Sequence, residues 1–260
     1  MAYIGSLKWR YDNYGLYRLL RYFFLDGLLV RTGVLRKKYS IQDELTLIES
    51  IANYVGLSKS EVNQIAEVAH NFLLDLERRF DREMVEVKKG VVGADGPIWR
   101  LTLIGCLLKK LNPEAYVETG TQHGISAEFS YVMSKGFSLR TKVFSIDVLP
   151  KQSVIANSGY QEILLPEPCG KNLLITLTGL SNEFREIVFA HDSDHTFEHM
   201  SWELNHAVSI LKPMAGVCDD IGHHRAFFNF SKKLRRKYLV TKTDAKGGCA
   251  AIVLGDPDGT

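Results

Sequence analysis

Residues 115–126 have the sequence AYVETGTQHGIS, which combines a short apolar run, a turn with two glycines and the start of a helix. Gly120 and Gly124 permit a tight backbone turn and a close approach of the backbone to a ligand. Ser126 is a residue type that favours the N-cap of a helix. The stretch therefore predicts a buried strand, a ligand-binding turn and a helix capped by Ser126.

Apolar runs of the same kind recur along the rest of the chain, with helical patterns between several of them. Nearly continuous apolar strands are typical of a parallel sheet that is covered on both faces, so we predict a doubly wound α/β fold. A segment rich in Pro, Gly and Ser, residues 150–172, is predicted to be a loop near the ligand. Strands are predicted at 115–118, 143–146, 173–177, 187–190, 215–218, 238–241 and 250–254, and helices at 126–135, 197–211 and 226–236.

The segment before residue 93 is predicted to be a helical N-terminal extension, residues 1–92, followed by a second domain, residues 93–260. Apolar periodicity predicts helices over 41–55, after Ser58 or Ser60, and over 99–111. Residues 1–38 carry a net charge of +6 against −4 for the rest of the chain, and contain one apolar helix face. This extension is interpreted as an oligomer-forming segment or a substrate lid, with contact to a membrane surface as the alternative.

Composition excludes several classes of protein. The chain has 260 residues, 45% hydrophobic and 24% charged, which is typical of a globular protein and excludes a disordered one. Four cysteines without a CxxC pair indicate a reduced, cytoplasmic protein rather than a secreted one. The acidic main part of the chain argues against a nucleic-acid partner.

In open α/β sheets, ligands bind at the carboxyl ends of the strands. Asp147 ends the second predicted strand and could accept hydrogen bonds from the hydroxyls of a ribose, or it could be a solvated carboxylate. The dinucleotide fingerprint G-x-G-x-x-G is absent. A glycine turn together with an acidic strand end indicates a cofactor site better than either feature alone.

Further carboxylates follow the next two parallel strands, in the segment HDSDH at 191–195 and at Asp219 and Asp220. Carboxylates so close together repel one another unless a cation lies between them, and all-oxygen ligands favour magnesium. Alternatively, Asp194 and Asp220 cap the helices that follow. A zinc hydrolase site built from the histidines of HDSDH and His199 is a third interpretation.

The segments VETGTQHGISAEF, FSID, VFAHDSDHTFEHM and LKPMAGVCDDI resemble class I S-adenosylmethionine-dependent methyltransferases. Within that class they are similar to the branch with macrocin-type sugar O-methyltransferases and cephalosporin-hydroxylase-like proteins. The resemblance covers about residues 97–254. It implies a Rossmann-like sheet of seven mostly parallel strands whose last strand is antiparallel.

The resemblance also implies roles for individual residues. The methionine part of S-adenosylmethionine would be held by Glu118, Gly120, Thr121, Gly124 and Ser126, the ribose by Asp147, and the adenine near Ser181. Asp192 would lie beside the cofactor and bind Mg²⁺ together with Asp219 and Asp220. Asp194 or His195 would accept a proton. Ser193 stands where the family usually has glycine.

The sequence thus predicts a metal-assisted O-methyltransferase acting on a hydroxyl of a small molecule or a sugar, and working as a homo-oligomer. A metal on that hydroxyl would lower its pKa and direct it toward the methyl group. A non-catalytic scaffold subunit that binds the cofactor is the main alternative, because a fold alone does not establish an activity.

Overall fold

The computed structural model describes residues 44–79, 96–121, 123–148, 159–167, 169–221, 225–241 and 250–253. The predicted helix within residues 1–38 lies outside these ranges. The helices are α1 (Glu44–Val55), α2 (Lys59–Arg79), α3 (Gly96–Leu111), α4 (Ile125–Gly136), α5 (Lys171–Glu183), α6 (Phe197–Leu211) and α7 (Ala226–Leu234). The strands are β1 (Ala115–Thr119), β2 (Lys142–Asp147), β3 (Gln161–Leu164), β4 (Ile187–His191), β5 (Ala215–Cys218), β6 (Tyr238–Val240) and β7 (Ala250–Val253).

The strands form one sheet in the order β3-β2-β1-β4-β5-β7-β6. Strands β1 to β5 are mutually parallel where they pair, while β7 runs antiparallel to both β5 and β6. The chain moves outward from β1 to β3 and then returns to place β4 on the other side of β1. The switch point of the sheet therefore lies between β1 and β4, and the predicted α/β, mostly parallel fold is confirmed.

Helices cover the sheet on both faces, and each face has its own apolar core. On one face, Tyr116, Val143 and Val188 pack with α1, α2, α3 and α4. On the other, Val117, Phe144 and Phe189 pack with α5, α6 and α7. Because successive strand residues point to opposite faces, Glu118 belongs to the first face and Thr119 to the second.

The predicted helices before residue 80 are present as α1 and α2, and both pack against α3 in the first of these cores. A Cβ atom on Gly105 of α3 would come within 2.7 Å of Ile65 Cγ2 on α2, so the glycine lets the two helices approach closely. The boundary at residue 92 and the role of the extension remain predictions.

Within the described ranges, Cys106, Cys169 and Cys218 are all free thiols. None of the helices in those ranges is both long enough and apolar enough to cross a membrane. The cytoplasmic location and the homo-oligomer remain predictions.

The prediction for the third strand is wrong. Residues 173–177 belong to helix α5, and the third strand is β3, inside the segment predicted to be a loop. Leu173, Leu177 and Leu180 are the buried residues of α5, and their spacing of four and three matches one helix face. Strand β3 is a short edge strand with polar and exposed residues, so it lacks the apolar run of the others.

Candidate active site

The carboxyl ends of four parallel strands lie in register at one edge of the sheet. Thr119 is paired with Ile146 on β2 and with His191 on β4, and His191 is paired with Cys218 on β5. The residues that come next along each strand, Gly120, Asp147, Asp192 and Asp219, are therefore neighbours. The sheet itself assembles the predicted residues into one row across the switch point.

The glycine turn after β1 requires glycine at both positions. Gly120 has a φ of 90°, and a Cβ atom there would lie 2.1 Å from the backbone oxygen of Asp192. Gly124 has a φ of 71°, and a Cβ atom there would lie 2.1 Å from the hydroxyl of Tyr160. The turn thus fits closely against the loop after β4 and against the segment before β3.

Helix α4 begins differently from the prediction. Its N-cap is Gly124, which has no side chain to cap the helix, and Ser126 lies inside the first turn. The helix begins five residues after the end of β1 on an N-cap without a side chain, and backbone N–H groups at a helix N-terminus favour a negatively charged or polar ligand group. The prediction that Ser126 caps the helix is wrong.

Gly120→Ala is expected to lower the free energy of unfolding by about 2–5 kcal/mol, because a side chain at this φ is strained and collides with backbone. Urea unfolding of the full chain measures this change. Gly179→Ala is the control, since a Cβ atom on this helical glycine meets nothing within 4 Å. Equal stability of Gly120→Ala and the wild type would contradict the close fit of the turn.

Glu118 lies beneath the row of strand ends and is fully buried. Its Oε2 accepts a hydrogen bond from the Tyr116 hydroxyl (3.0 Å), and its Oε1 accepts one from Ser145 (2.8 Å). The Thr121 and Ser145 hydroxyls lie 2.7 Å apart, and Ser126 adds a further hydrogen bond to Glu118. Burial raises the pKa of Glu118, and these hydrogen bonds oppose the rise.

This network includes three residues that the resemblance implies as ligand contacts. Glu118, Thr121 and Ser126 are all buried and bond to one another or to Ser145. In this structure they support the glycine turn, and their contact with a ligand stays a prediction. Asp147, in contrast, is partly exposed at the edge, and its Oδ1 accepts a hydrogen bond from the backbone N–H of Val148 (2.6 Å).

Arg100 on α3 reaches the carboxylates after β4 and β5. Its Nη1 donates a hydrogen bond to Asp192 Oδ2 (2.8 Å) and a second one to Asp219 Oδ2. All three side chains are about one-fifth exposed or less. The cation expected between these carboxylates is thus supplied, for Asp192 and Asp219, by a side chain of the protein itself.

The two bridged aspartates differ in their affinity for protons. Burial raises the pKa of Asp219, but the positive charges of Arg100 and His195 outweigh it and hold this pKa below its usual value. Burial raises the pKa of Asp192 well above its usual value, with Arg100 opposing and the negative charge of Asp219 adding to the rise. One guanidinium thus donates hydrogen bonds to two carboxylates, and Asp219 loses its proton more readily than Asp192.

His195 lies in the loop after β4, close to two of the predicted metal ligands. Its Nε2 is 3.6 Å from Asp192 Oδ1 and 3.6 Å from Asp220 Oδ2, and the side chain is 23% exposed. A neutral imidazole has a ring nitrogen that can accept a proton, and the two carboxylates beside Nε2 would stabilise the positive charge that forms. This residue can therefore accept a proton at the edge of the sheet.

A second cluster lies under the same loop and is centred on Glu203 of α6, which is completely buried. His191 Nδ1 lies 2.6 Å from Glu203 Oε1, and His199 Nε2 lies 2.9 Å from Glu203 Oε2. Ser193 donates a hydrogen bond to Glu203 Oε2 (2.8 Å), and Thr119 donates one to Oε1. The cluster ties both ends of the segment 191–199 to one carboxylate.

The ionisation of this cluster is strongly perturbed. Burial raises the pKa of Glu203, but the charges and hydrogen bonds of His191 and His199 outweigh it and hold the pKa well below its usual value. Burial lowers the pKa of His199, but the hydrogen bonds of its ring with Cys169 and Glu203 outweigh the effect of burial and raise the pKa to about 10. Glu203 and His199 therefore form a buried ion pair at neutral pH.

The capping alternatives and the zinc interpretation do not match these contacts. The N-cap of α6 is Thr196, whose side chain accepts a hydrogen bond from the His199 N–H, and the N-cap of α7 is Arg225. His191 and His199 are directed at Glu203 rather than at a shared ion. Among the described residues, no group of three or more His, Cys, Asp or Glu side chains is arranged to hold a metal.

Ser181 is not part of the site. It was expected to follow the third strand, but it lies near the end of α5, where its hydroxyl donates a hydrogen bond to Thr178 O (2.9 Å). Glu183, at the end of the same helix, contacts Lys142, the first residue of β2. Ser181 therefore lies toward the amino ends of the strands, opposite the row described above.

Arg100 and Glu203 were not predicted as site residues, but each has a signal in the sequence. The part of α3 from Arg100 to its last residue, Leu111, is about 16 Å long, and β1 has about the same length. Because a short connection joins the end of α3 to the start of β1, Arg100 is expected to lie level with the carboxyl end of β1. His199 and Glu203 are four residues apart on α6, the spacing that places two side chains together on a helix face.

The fold and the row of strand-end residues define a chain of the class I S-adenosylmethionine-dependent methyltransferase type, as the resemblance implied. A family model described as rhamnosyl O-methyltransferase/CmcI matches residues 99–217. The matched segment holds the glycine turn, Asp147 and the loop after β4. No curated protein sequence matches the chain significantly.

Several solved structures are similar to this chain. An O-methyltransferase from Bacillus cereus in complex with SAH is 15% identical, covering 70% of this chain and 90% of its own, with a TM-score of 0.46. A CmcI-N160 apo-structure is 17% identical over 60% of this chain and 71% of its own, with a TM-score of 0.42. TomG from Streptomyces achromogenes, an O-methyltransferase with bound SAM, is 14% identical over 68% and 91%, with a TM-score of 0.44.

Proposed function

We propose that this protein transfers the methyl group of S-adenosylmethionine to a hydroxyl of a small molecule or a sugar. The observation that carries the proposal is the row formed by Gly120, Asp147 and Asp192 at the switch point of the sheet. A glycine turn beside an acidic strand end suits a ligand with a ribose and an amino-acid part. The family match over residues 99–217 supports the same class of reaction.

The residues of the row divide the binding task between them. The Asp147 carboxylate would hold the ribose by accepting hydrogen bonds from its hydroxyls. Gly120 and the first turn of α4 offer backbone groups to the amino-acid part, and Asp192 lies beside them at the switch point. Glu118 is buried beneath this row and supports it by accepting hydrogen bonds from Ser145 and Tyr116.

The cofactor, when bound, supplies a methyl group on a positively charged sulfur. His195 accepts the proton of the acceptor hydroxyl at Nε2, and Asp192 and Asp220 stabilise the imidazolium that forms. Asp194 is the alternative base. It lies within electrostatic range of the buried His199, whose pKa it raises.

The metal-assisted form of the reaction implied by the resemblance requires Mg²⁺ on Asp192, Asp219 and Asp220. These residues do not fit the ion as they are arranged here, because Arg100 donates hydrogen bonds to an oxygen of both Asp192 and Asp219. The proposed proton transfer to His195 therefore involves this chain's side chains alone.

Asp147→Ala is expected to weaken binding of S-adenosylmethionine and of S-adenosylhomocysteine at least about tenfold, since a charge-assisted pair of hydrogen bonds is lost. Isothermal titration calorimetry on the full chain measures both affinities, and NAD should not bind. Asp75→Ala, on the exposed side of α2, is the control. Unchanged affinity in Asp147→Ala would contradict the ribose assignment, and no binding to the wild type would contradict the proposed function.

A further inference from the structure

We propose that Arg100 is the resident cation of this site and that the carboxylates of Asp192, Asp219 and Asp220 take no divalent metal while it is present. The guanidinium stands where the resemblance implies Mg²⁺. The meaning of this arrangement for methyl transfer rests on the proposed function, but the exclusion of metal does not.

The contacts of Arg100 carry the inference. One nitrogen, Nη1, donates to Oδ2 of Asp192 and to Oδ2 of Asp219, so it lies between the two carboxylates as a shared ion would. The second oxygen of Asp192 faces His195 Nε2, as does Oδ2 of Asp220. The carboxylates are thus directed at two side chains of the protein rather than at one common point.

The position of Arg100 is fixed by the fold. Helix α3 packs between α2 and α4, and the residues after Arg100 from Leu101 to Leu108 are almost all buried. The side chain of Arg100 itself is only 17% exposed. A metal ion would have to displace the guanidinium from both carboxylates and then remain beside a positive charge with little water to screen it.

The inference gives Arg100 a role as a positioning residue. It places its positive charge against Oδ2 of Asp219, and it holds Oδ2 of Asp192 on the side away from His195, which faces Oδ1. Oδ1 of Asp192 is thereby left facing His195, which also lies beside Oδ2 of Asp220. The same two carboxylates would form a metal site only if the guanidinium were removed.

Binding of Mn²⁺ to the full chain, followed by electron paramagnetic resonance with and without S-adenosylhomocysteine, tests the proposal. The wild type is expected to leave Mn²⁺ free at millimolar concentration. Arg100→Met removes the charge at similar length and is expected to gain at least about 100-fold in Mn²⁺ affinity, because two buried carboxylates lose their partner. Arg100→Lys keeps a cation and should gain little.

The double variant Arg100→Met with Asp219→Asn should lose the acquired binding, which assigns the new site to these carboxylates. Mn²⁺ should also raise the melting temperature of Arg100→Met and leave that of the wild type unchanged. If Arg100→Met folds only when Mn²⁺ is present, that dependence supports the proposal as well. The measurements need no acceptor, so their outcome is independent of any failure to find methyl transfer.

Two results would overturn the proposal. The first is tight Mn²⁺ binding to the wild type that Asp219→Asn abolishes, which would place the ion alongside Arg100. The second is the absence of Mn²⁺ binding in both the wild type and a folded Arg100→Met, which would show that the guanidinium is not what excludes the metal.

Discussion

His195→Asn is expected to lower kcat by about 100- to 10,000-fold, the usual contribution of a positioned general base. Asparagine keeps a polar side chain of similar size but cannot take a proton near neutral pH. The affinity for S-adenosylmethionine should remain close to that of the wild type, because Asp147 and the glycine turn are unchanged. The rate is measured as formation of S-adenosylhomocysteine with an acceptor found by screening hydroxylated sugars and phenols.

His70→Asn is the matched control, since it makes the same change on the exposed side of α2. Asp194→Asn separates the two candidate bases. If His195 is the base, Asp194→Asn retains most of the rate. If Asp194→Asn loses the rate and His195→Asn retains it, Asp194 is the base and the present assignment is wrong.

Glu203→Gln is expected to lower the free energy of unfolding by about 3–5 kcal/mol at neutral pH, because it leaves buried histidines without their charged partner. The effect is large since Glu203 bonds to His191, His199, Ser193 and Thr119 at once. Denaturant unfolding measures it. Glu183→Gln is the control, as it removes an exposed ion pair with Lys142 that contributes at most about 1 kcal/mol.

The ion pair between Glu203 and His199 predicts how the stability of the fold depends on pH. The depressed pKa of Glu203 contributes stability above the ordinary pKa near 4.5, and this contribution is lost as the pH falls below it. The pKa of His199, raised from 6.5 to about 10, contributes stability that is complete below 6.5 and is lost as the pH rises toward 10. Unfolding measured across this range should show both losses in the wild type and weaker ones in Glu203→Gln.

The strands that carry the site could be predicted from the sequence because buried strands consist mainly of apolar residues. β1, β2, β4 and β5 are covered on both faces and are apolar along most of their length. Strand β3 is at the edge of the sheet and partly exposed, so its residues give no such signal. The apolar run at 173–177 was misread because a helix face and a buried strand look alike over so few residues.

The residues of the site also differ in how well the sequence predicts them. Gly120, Asp147, Asp192 and Asp219 were predictable because parallel strands bring their carboxyl ends to one edge, whatever the side chains do. Arg100 was not predicted as a partner of Asp219 because 119 positions separate them, and they meet only because α3 packs in the core on one face of the sheet. The buried role of Glu118 depends on which face of β1 it occupies, which the strand pattern alone leaves open.

The placement of β7 between β5 and β6 has a consequence for biosynthesis. β6 pairs only with β7 in the described sheet, so it has no neighbour until residues 250–253 have left the ribosome. Until then β5, which positions Asp219, presents an open edge to any other strand nearby. A nascent chain or a fragment that stops before residue 250 would therefore expose β5 to pairing with strands of other molecules. Such a chain is expected to aggregate rather than to remain folded with a reduced rate of catalysis.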